Sequence, residues 1–210
     1  MAQADPNLIY PFLVGPFEVR RWRREELEDL RDFHYDPVAR GGWQIVERIE
    51  DCPRATCRPK KKTDHLADLV WQFEHDGLVQ EAVIIDRRTG EIAGNVRVSA
   101  NRVKLDGQRL TVEEEAALPR RTEVHIFLKQ QWQRPADATS PERNGETILR
   151  ALLGRVFQQV DEVVAESLTY REPVAHLLRK LGFEVLGPAD DVTWWRLTRQ
   201  RWATVRASPT

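Results

Sequence analysis

The sequence predicts a mixed α/β domain, and three observations predict it. Segments with two-residue alternation or short apolar runs recur along the chain, at 17–22, 81–86, 92–98, 123–128, 163–168, 183–186 and 192–197, and read as strands. Other segments place apolar residues three and four apart and read as amphipathic helices. The order is strand, helix, helix, a run of antiparallel strands, then strand–helix–strand–helix–strand–strand, without an internal repeat.

Each element has a local reason. Phe17-Glu18-Val19-Arg20-Arg21-Trp22 alternates as a first strand does, and Leu27, Leu30 and Phe33 then mark a helix that ends near Asp36-Pro37. Residues 44–62 carry no period, and Pro53, Pro59 and the charges suggest a loop. Thr63 is the expected N-cap of a second helix bearing Leu66, Leu69, Val70 and Phe73. The strands at 81–86 and 92–98 flank Arg87-Arg88-Thr89-Gly90, a hairpin turn whose glycine supplies the left-handed backbone position. Residues 101–120 read as a polar excursion, and 130–145 as an irregular loop. Ile148, Leu149, Leu152, Leu153, Val156 and Phe157 form one helical face. A further helix, 174–181, is closed by Gly182. Gly187-Pro188 is expected to join the last two strands, and the tail from about Ala203 is expected to fray.

Composition narrows the function classes. The chain has 210 residues, which suits a single domain over 1–210 with a core at about 17–198. Lysine and arginine total 32 against 33 acidic residues, so no surplus of positive charge points to nucleic acid. The one basic cluster, Arg58-Pro59-Lys60-Lys61-Lys62, is a solvated loop or an anion contact. The N-terminal residues lack a signal-peptide pattern and no apolar run is long enough to span a bilayer, so a cytoplasmic, non-membrane protein is expected. Cys52 and Cys57 are too few for a disulfide framework or a cysteine-only zinc site. His65, eight residues past Cys57, leaves a metal site with distant ligands as the alternative to the expected metal-free chain. Some of the seven tryptophans are expected at a groove or interface.

The segment Arg171-Glu172-Pro173-Val174-Ala175-His176-Leu177-Leu178-Arg179-Lys180-Leu181-Gly182-Phe183, taken with the element order, resembles the GNAT superfamily of acyl-CoA-dependent N-acetyltransferases. The likeness covers roughly 17–198 and is nearest to the branch that acetylates ribosomal proteins, protein N-termini, polyamines or aminoglycosides. It implies a GNAT fold, a central mixed and mostly antiparallel sheet flanked by helices. It also implies acetyl-CoA or another acyl-CoA as co-substrate, and an amine acceptor that is a small molecule or a peptide. A homodimer is possible. Where the family has an Arg/Gln-x-x-Gly-x-Gly/Ala turn for the pyrophosphate, this chain has Arg143-Asn144-Gly145-Glu146-Thr147. The resemblance assigns those five residues, with Arg134 and Arg171, to CoA binding, Arg171 standing where the family usually has Asn. Gly145 is otherwise a plain helix-start glycine, and Glu146 in the donor turn is a charge that would repel or shield a phosphate.

Acyl transfer to an amine needs a proton acceptor, a polarised thioester carbonyl and a route for the leaving thiolate. Glu123, His125 and Phe127 share one face of the strand at 123–128. His125, a neutral imidazole near pH 7, and Glu123 are the candidate bases, with packing as their other reading. The resemblance places the carbonyl contact on the backbone of Phe127, Leu128 or Lys129. The family's frequent leaving-group acid is a tyrosine, and Leu178 occupies that position. Trp132 stacks on the co-substrate or covers the core. The acceptor side in relatives is made by the first two helices and the excursion between late strands; Trp43, Asp64, His65, Trp71, Glu74 and His75 fall in that part here, and Glu113-Glu114-Glu115 is either a lure for a cationic amine or a solvated charge run. Two rival readings stand beside the acetyltransferase: a catalytically inactive binding or regulatory protein on the same fold, and a transferase that uses a longer acyl-CoA.

Overall fold

The computed structural model describes residues 5–35, 62–76, 81–100, 111, 113, 120–129, 132–133, 143–168, 172–189 and 192–207. Its strands are β1 (Phe12–Val14), β2 (Phe17–Arg21), β3 (Glu81–Asp86), β4 (Ile92–Ala100), β5 (Arg121–Leu128), β6 (Glu162–Leu168), β7 (Glu184–Ala189) and β8 (Val192–Thr198). The helices are α1 (Pro6–Ile9), α2 (Leu27–Tyr35), α3 (Lys62–Asp76), α4 (Asn144–Val156), α5 (Glu172–Lys180) and α6 (Arg199–Ala207). The strands form one eight-stranded sheet in the order β1-β2-β3-β4-β5-β6-β8-β7. It is mixed: β1–β2, β2–β3, β6–β8 and β7–β8 pair antiparallel, and β5–β6 pairs parallel. This is the predicted class.

Contacts divide the chain into two compact units, one of Met1–Ile9, Arg97–His125 and Glu146–Thr210, the other of Tyr10–Val96 and Ile126–Gly145. In the second, Trp22, Leu27, Leu30, Leu69 and Val83 form a buried cluster, with Leu66, Val70, Phe73, Ile85 and Ile92 packed against it. The helical spacing of 27/30 and 66/69/70/73 thus buries one face each of α2 and α3. In the first unit, Ile148, Leu149, Leu152, Leu153 and Val156 of α4 are all buried, as the six-residue apolar face predicts. Gly182 closes α5 with φ +87°, and Gly90 closes the β3–β4 hairpin with φ +76°, both in the left-handed region.

Several expectations need correction. The tail does not fray at Ala203: α6 runs to Ala207, Trp202 is buried, and its ring lies 6.1 Å from that of Phe157. Arg199 Nη2 donates to Val160 O at 2.8 Å and Arg201 Nε to Gly182 O at 2.6 Å, so charged residues fasten this helix. Gly187-Pro188 is not a turn; both lie within β7, at a shift of register between Val185 and Gly187. Thr63 lies inside α3, which starts at Lys62. β1, absent from the sequence reading, pairs with β2 around Gly15. Trp194 and Trp195 are both buried on β8, which has a neighbour on each side. Trp22, Trp132 and Trp202 are buried too, so among the described tryptophans only Trp71 is exposed.

Candidate active site

Glu123 sits at the last position of the parallel β5–β6 register, which runs from Arg121↔Glu162 to Glu123↔Val164. His125 follows it on the same face. The imidazole Nε2 lies 2.7 Å from Glu123 Oε1, with both side chains largely buried. An ionised carboxylate only accepts hydrogen bonds, so Nε2 carries the proton and Nδ1 is the basic atom of the neutral ring. The sequence offered these two residues as alternatives, and the structure joins them. Glu166 of β6, which sequence reading missed, adds a third group: among the described residues, donor atoms of Glu123, His125 and Glu166 all lie within 4.8 Å of one another. No local spacing signals Glu166, because only the β5–β6 pairing brings it there.

The end of β5 is built against β4. Lys129 N donates to Ala93 O at 2.9 Å, and a Cβ on Gly94 would lie 2.1 Å from Phe127 O. Successive strand amides point to opposite sides, so Phe127 and Lys129 face β4 while the Leu128 amide faces away from it. Leu128 O accepts from Gln133 Nε2 at 3.2 Å. Beyond β5, the Trp132 indole N–H donates to Asp86 Oδ2 at 3.1 Å. Trp132 is 7% exposed, so it serves as a buried anchor, the core alternative of its two readings. Asp86, itself buried, also accepts from Arg88 Nε, Nη2 and backbone N. The Arg88 side chain, followed by its amide and Trp132, holds the Asp86 carboxyl well below the usual carboxylate range despite the opposing cost of burial.

α4 begins at Asn144. Asn144 Nδ2 donates to Trp132 O at 2.8 Å, and the nearest atom to a Cβ on Gly145 would be Leu128 Cδ1 at 3.5 Å. The first amides of a helix have no partner within it and lie at the positive end of its dipole. Glu146 is 3% exposed, and its carboxylate accepts from Arg150 Nε and Nη2 at 3.1 and 3.0 Å and from Lys180 Nζ at 2.7 Å. The carboxylate in the turn is therefore neutralised by two cations, which removes the physical objection to an anionic ligand there. Arg143 is the residue before α4 and Thr147 lies in its first turn, whereas Arg134 and Arg171 lie outside the described residues. Leu178 is buried.

On the helices α2 and α3, Trp71 is exposed and stacks on His75 at 4.2 Å, Glu74 pairs with Arg24 at 3.2 Å, and His65 contacts His34. Asp64 is exposed, as is Glu113; Trp43, Cys52, Cys57, Arg58, Lys60, Lys61, Glu114 and Glu115 lie outside the described residues.

No protein-family model and no curated protein matches the sequence. Solved structures do. An uncharacterized protein from Bacillus halodurans superposes with TM-score 0.63 at 14% identity, covering 94% of each chain. An acetyltransferase of the GNAT family from Bacillus anthracis gives TM-score 0.58 at 9% identity, over 91% of this chain and 99% of that one. The chain has the GNAT fold. A ribosomal-protein-S5-alanine acetyltransferase from Vibrio fischeri shares that GNAT architecture with TM-score 0.52 at 16% identity, over 92% and 98% of the two chains. Likeness at these identities is a statement about fold.

Proposed function

We propose that the chain is an acyl-CoA-dependent N-acyltransferase that acts on a primary amine of a small molecule or peptide, the acetyl group being the expected cargo. The observation that carries this reading is the Glu123–His125 pair at 2.7 Å on β5 of a GNAT fold. When bound, the thioester supplies the activated acyl group. Arg143, Asn144, Gly145, Glu146 and Thr147 form the turn that receives its pyrophosphate, Gly145 leaving room for close approach and the Arg150–Glu146–Lys180 triad keeping the turn free of net negative charge. Arg134 and Arg171 remain proposed phosphate contacts. Of Phe127, Leu128 and Lys129, the Leu128 amide is the donor for the thioester carbonyl, because the Lys129 amide is committed to Ala93.

The amine nitrogen attacks the carbonyl carbon and its proton passes to His125 Nδ1, with Glu123 stabilising the imidazolium. The C–S bond then breaks, and the CoA thiolate takes a proton from solvent, since Leu178 has none to give. The test is thiol release from acetyl-CoA with a panel of amines, followed by the same assay on His125→Gln and Glu123→Gln. His125→Gln should lower kcat/KM by about 10²–10⁴-fold. Unchanged rates in both variants would refute the assignment. A buried leucine at the tyrosine position favours one second reading, an acyl-CoA-binding protein without turnover; CoA binding with no thiol release for any amine would select it.

A further inference from the structure

A polar chain that takes no part in this chemistry runs through α2, α3 and the adjacent strands. Trp22 Nε1 donates to Asn95 Oδ1 at 3.0 Å, and Asn95 Nδ2 donates to Glu81 Oε2 at 2.9 Å. That same oxygen lies 3.3 Å from His34 Nε2, and His34 Nδ1 lies 2.9 Å from His65 Nε2. The direction of the chain is fixed from its buried end. An indole nitrogen can only donate, so the Asn95 amide is oriented by Trp22, and Glu81 then accepts. His34 therefore carries its hydrogen on Nε2, toward the carboxylate, and turns the lone pair of Nδ1 to His65.

An imidazole that gives one N–H to a carboxylate is oriented as a metal-bound histidine is by its supporting carboxylate, and the lone pair of His34 Nδ1 here accepts the hydrogen of His65 Nε2. We propose that His34 Nδ1 and His65 Nε2 hold a borderline divalent cation of the Zn(II) type, with Glu81 orienting His34, so that the ion ties α2 to α3. Imidazole donors suit Zn(II), and at Zn–N lengths near 2.0–2.1 Å two tetrahedral ligands stand about 3.3 Å apart. The ion would replace the hydrogen now held between the two nitrogens, His65 carrying its hydrogen on Nδ1 instead, and the nitrogens would separate by a few tenths of an ångström. The rings are already tilted, at 43° with centroids 5.2 Å apart. Solvent completes the coordination. This departs from the metal-free expectation, and it is independent of the acyl-transfer reading.

The test is titration of the chelator-stripped full-length chain with Zn(II) alone, against a chromophoric competitor. One equivalent should bind and raise the melting temperature. His65→Ala should weaken binding by 100-fold or more and abolish the shift, and Glu81→Gln should weaken it about 10–100-fold. His125→Ala should leave zinc binding unchanged, which separates this pair from the Glu123–His125–Glu166 group. His65→Gln serves if the alanine variant fails to fold. No binding by the wild-type chain, wild-type affinity in the His65 variants, or loss of binding in His125→Ala would each overturn the proposal.

Discussion

Asp86 concentrates more of the local order than any other single residue around the β5 loop. Its carboxylate joins the β3–β4 hairpin to Trp132, and its folded-state pKa is depressed, chiefly by Arg88. A depressed carboxyl stabilises the fold above the unfolded carboxylate range, near pH 4, and that contribution is lost as pH falls through the folded value. Asp86→Asn should therefore cost about 1.5–3 kcal/mol at pH 7, with the gap to wild type narrowing in acid; urea denaturation at neutral and acid pH measures it. A constant gap at all pH values would contradict the account. Gly94 is the opposite kind of residue, needed for having no side chain. A Cβ there would meet the Phe127 carbonyl, and backbone cannot rotate away, so Gly94→Ala should destabilise by about 3 kcal/mol. Little of this was legible in the sequence. Period two placed Glu123 and His125 on one face, but their hydrogen bond, Glu166 beside them, and His34 against His65 across 31 positions are products of strand and helix pairing.

At the scale of elements, α4 and the strands were legible because burial imposes strict periods on them. α6 was not, since it buries one large ring and fastens itself with arginines. Trp202 is buried with no partner for its indole N–H among the described residues, so Trp202→Ala should cost about 3–5 kcal/mol and Trp202→Phe much less, as thermal denaturation would show. The start of α4 gives a sharper contrast. A methyl at Gly145 meets only an ordinary contact at 3.5 Å and raises helix propensity. Gly145→Ala should leave stability unchanged or raise it by up to about 1 kcal/mol while weakening acyl-CoA binding. A loss of stability would make Gly145 a structural glycine instead.

For the whole molecule, the element order carried the fold class and the structure bears it out, including a mixed sheet that contains the parallel pair β5–β6. The two compact units were not foreseen, because they interleave along the chain. β4 and β5 each give residues to both units, so unfolding either one disrupts strands of the other. A single calorimetric transition is expected on that ground. Among the described residues no helix is long and apolar enough to cross a membrane. The central claim is that this GNAT fold carries a working acyl-CoA site at the start of α4. Calorimetric titration of the purified chain with acetyl-CoA, with desulfo-CoA and longer acyl-CoAs alongside, tests it most directly. The account predicts one-to-one binding that weakens in Gly145→Ala and Arg143→Ala. Absence of heat and of thermal stabilisation with every one of them, from folded protein, would contradict it.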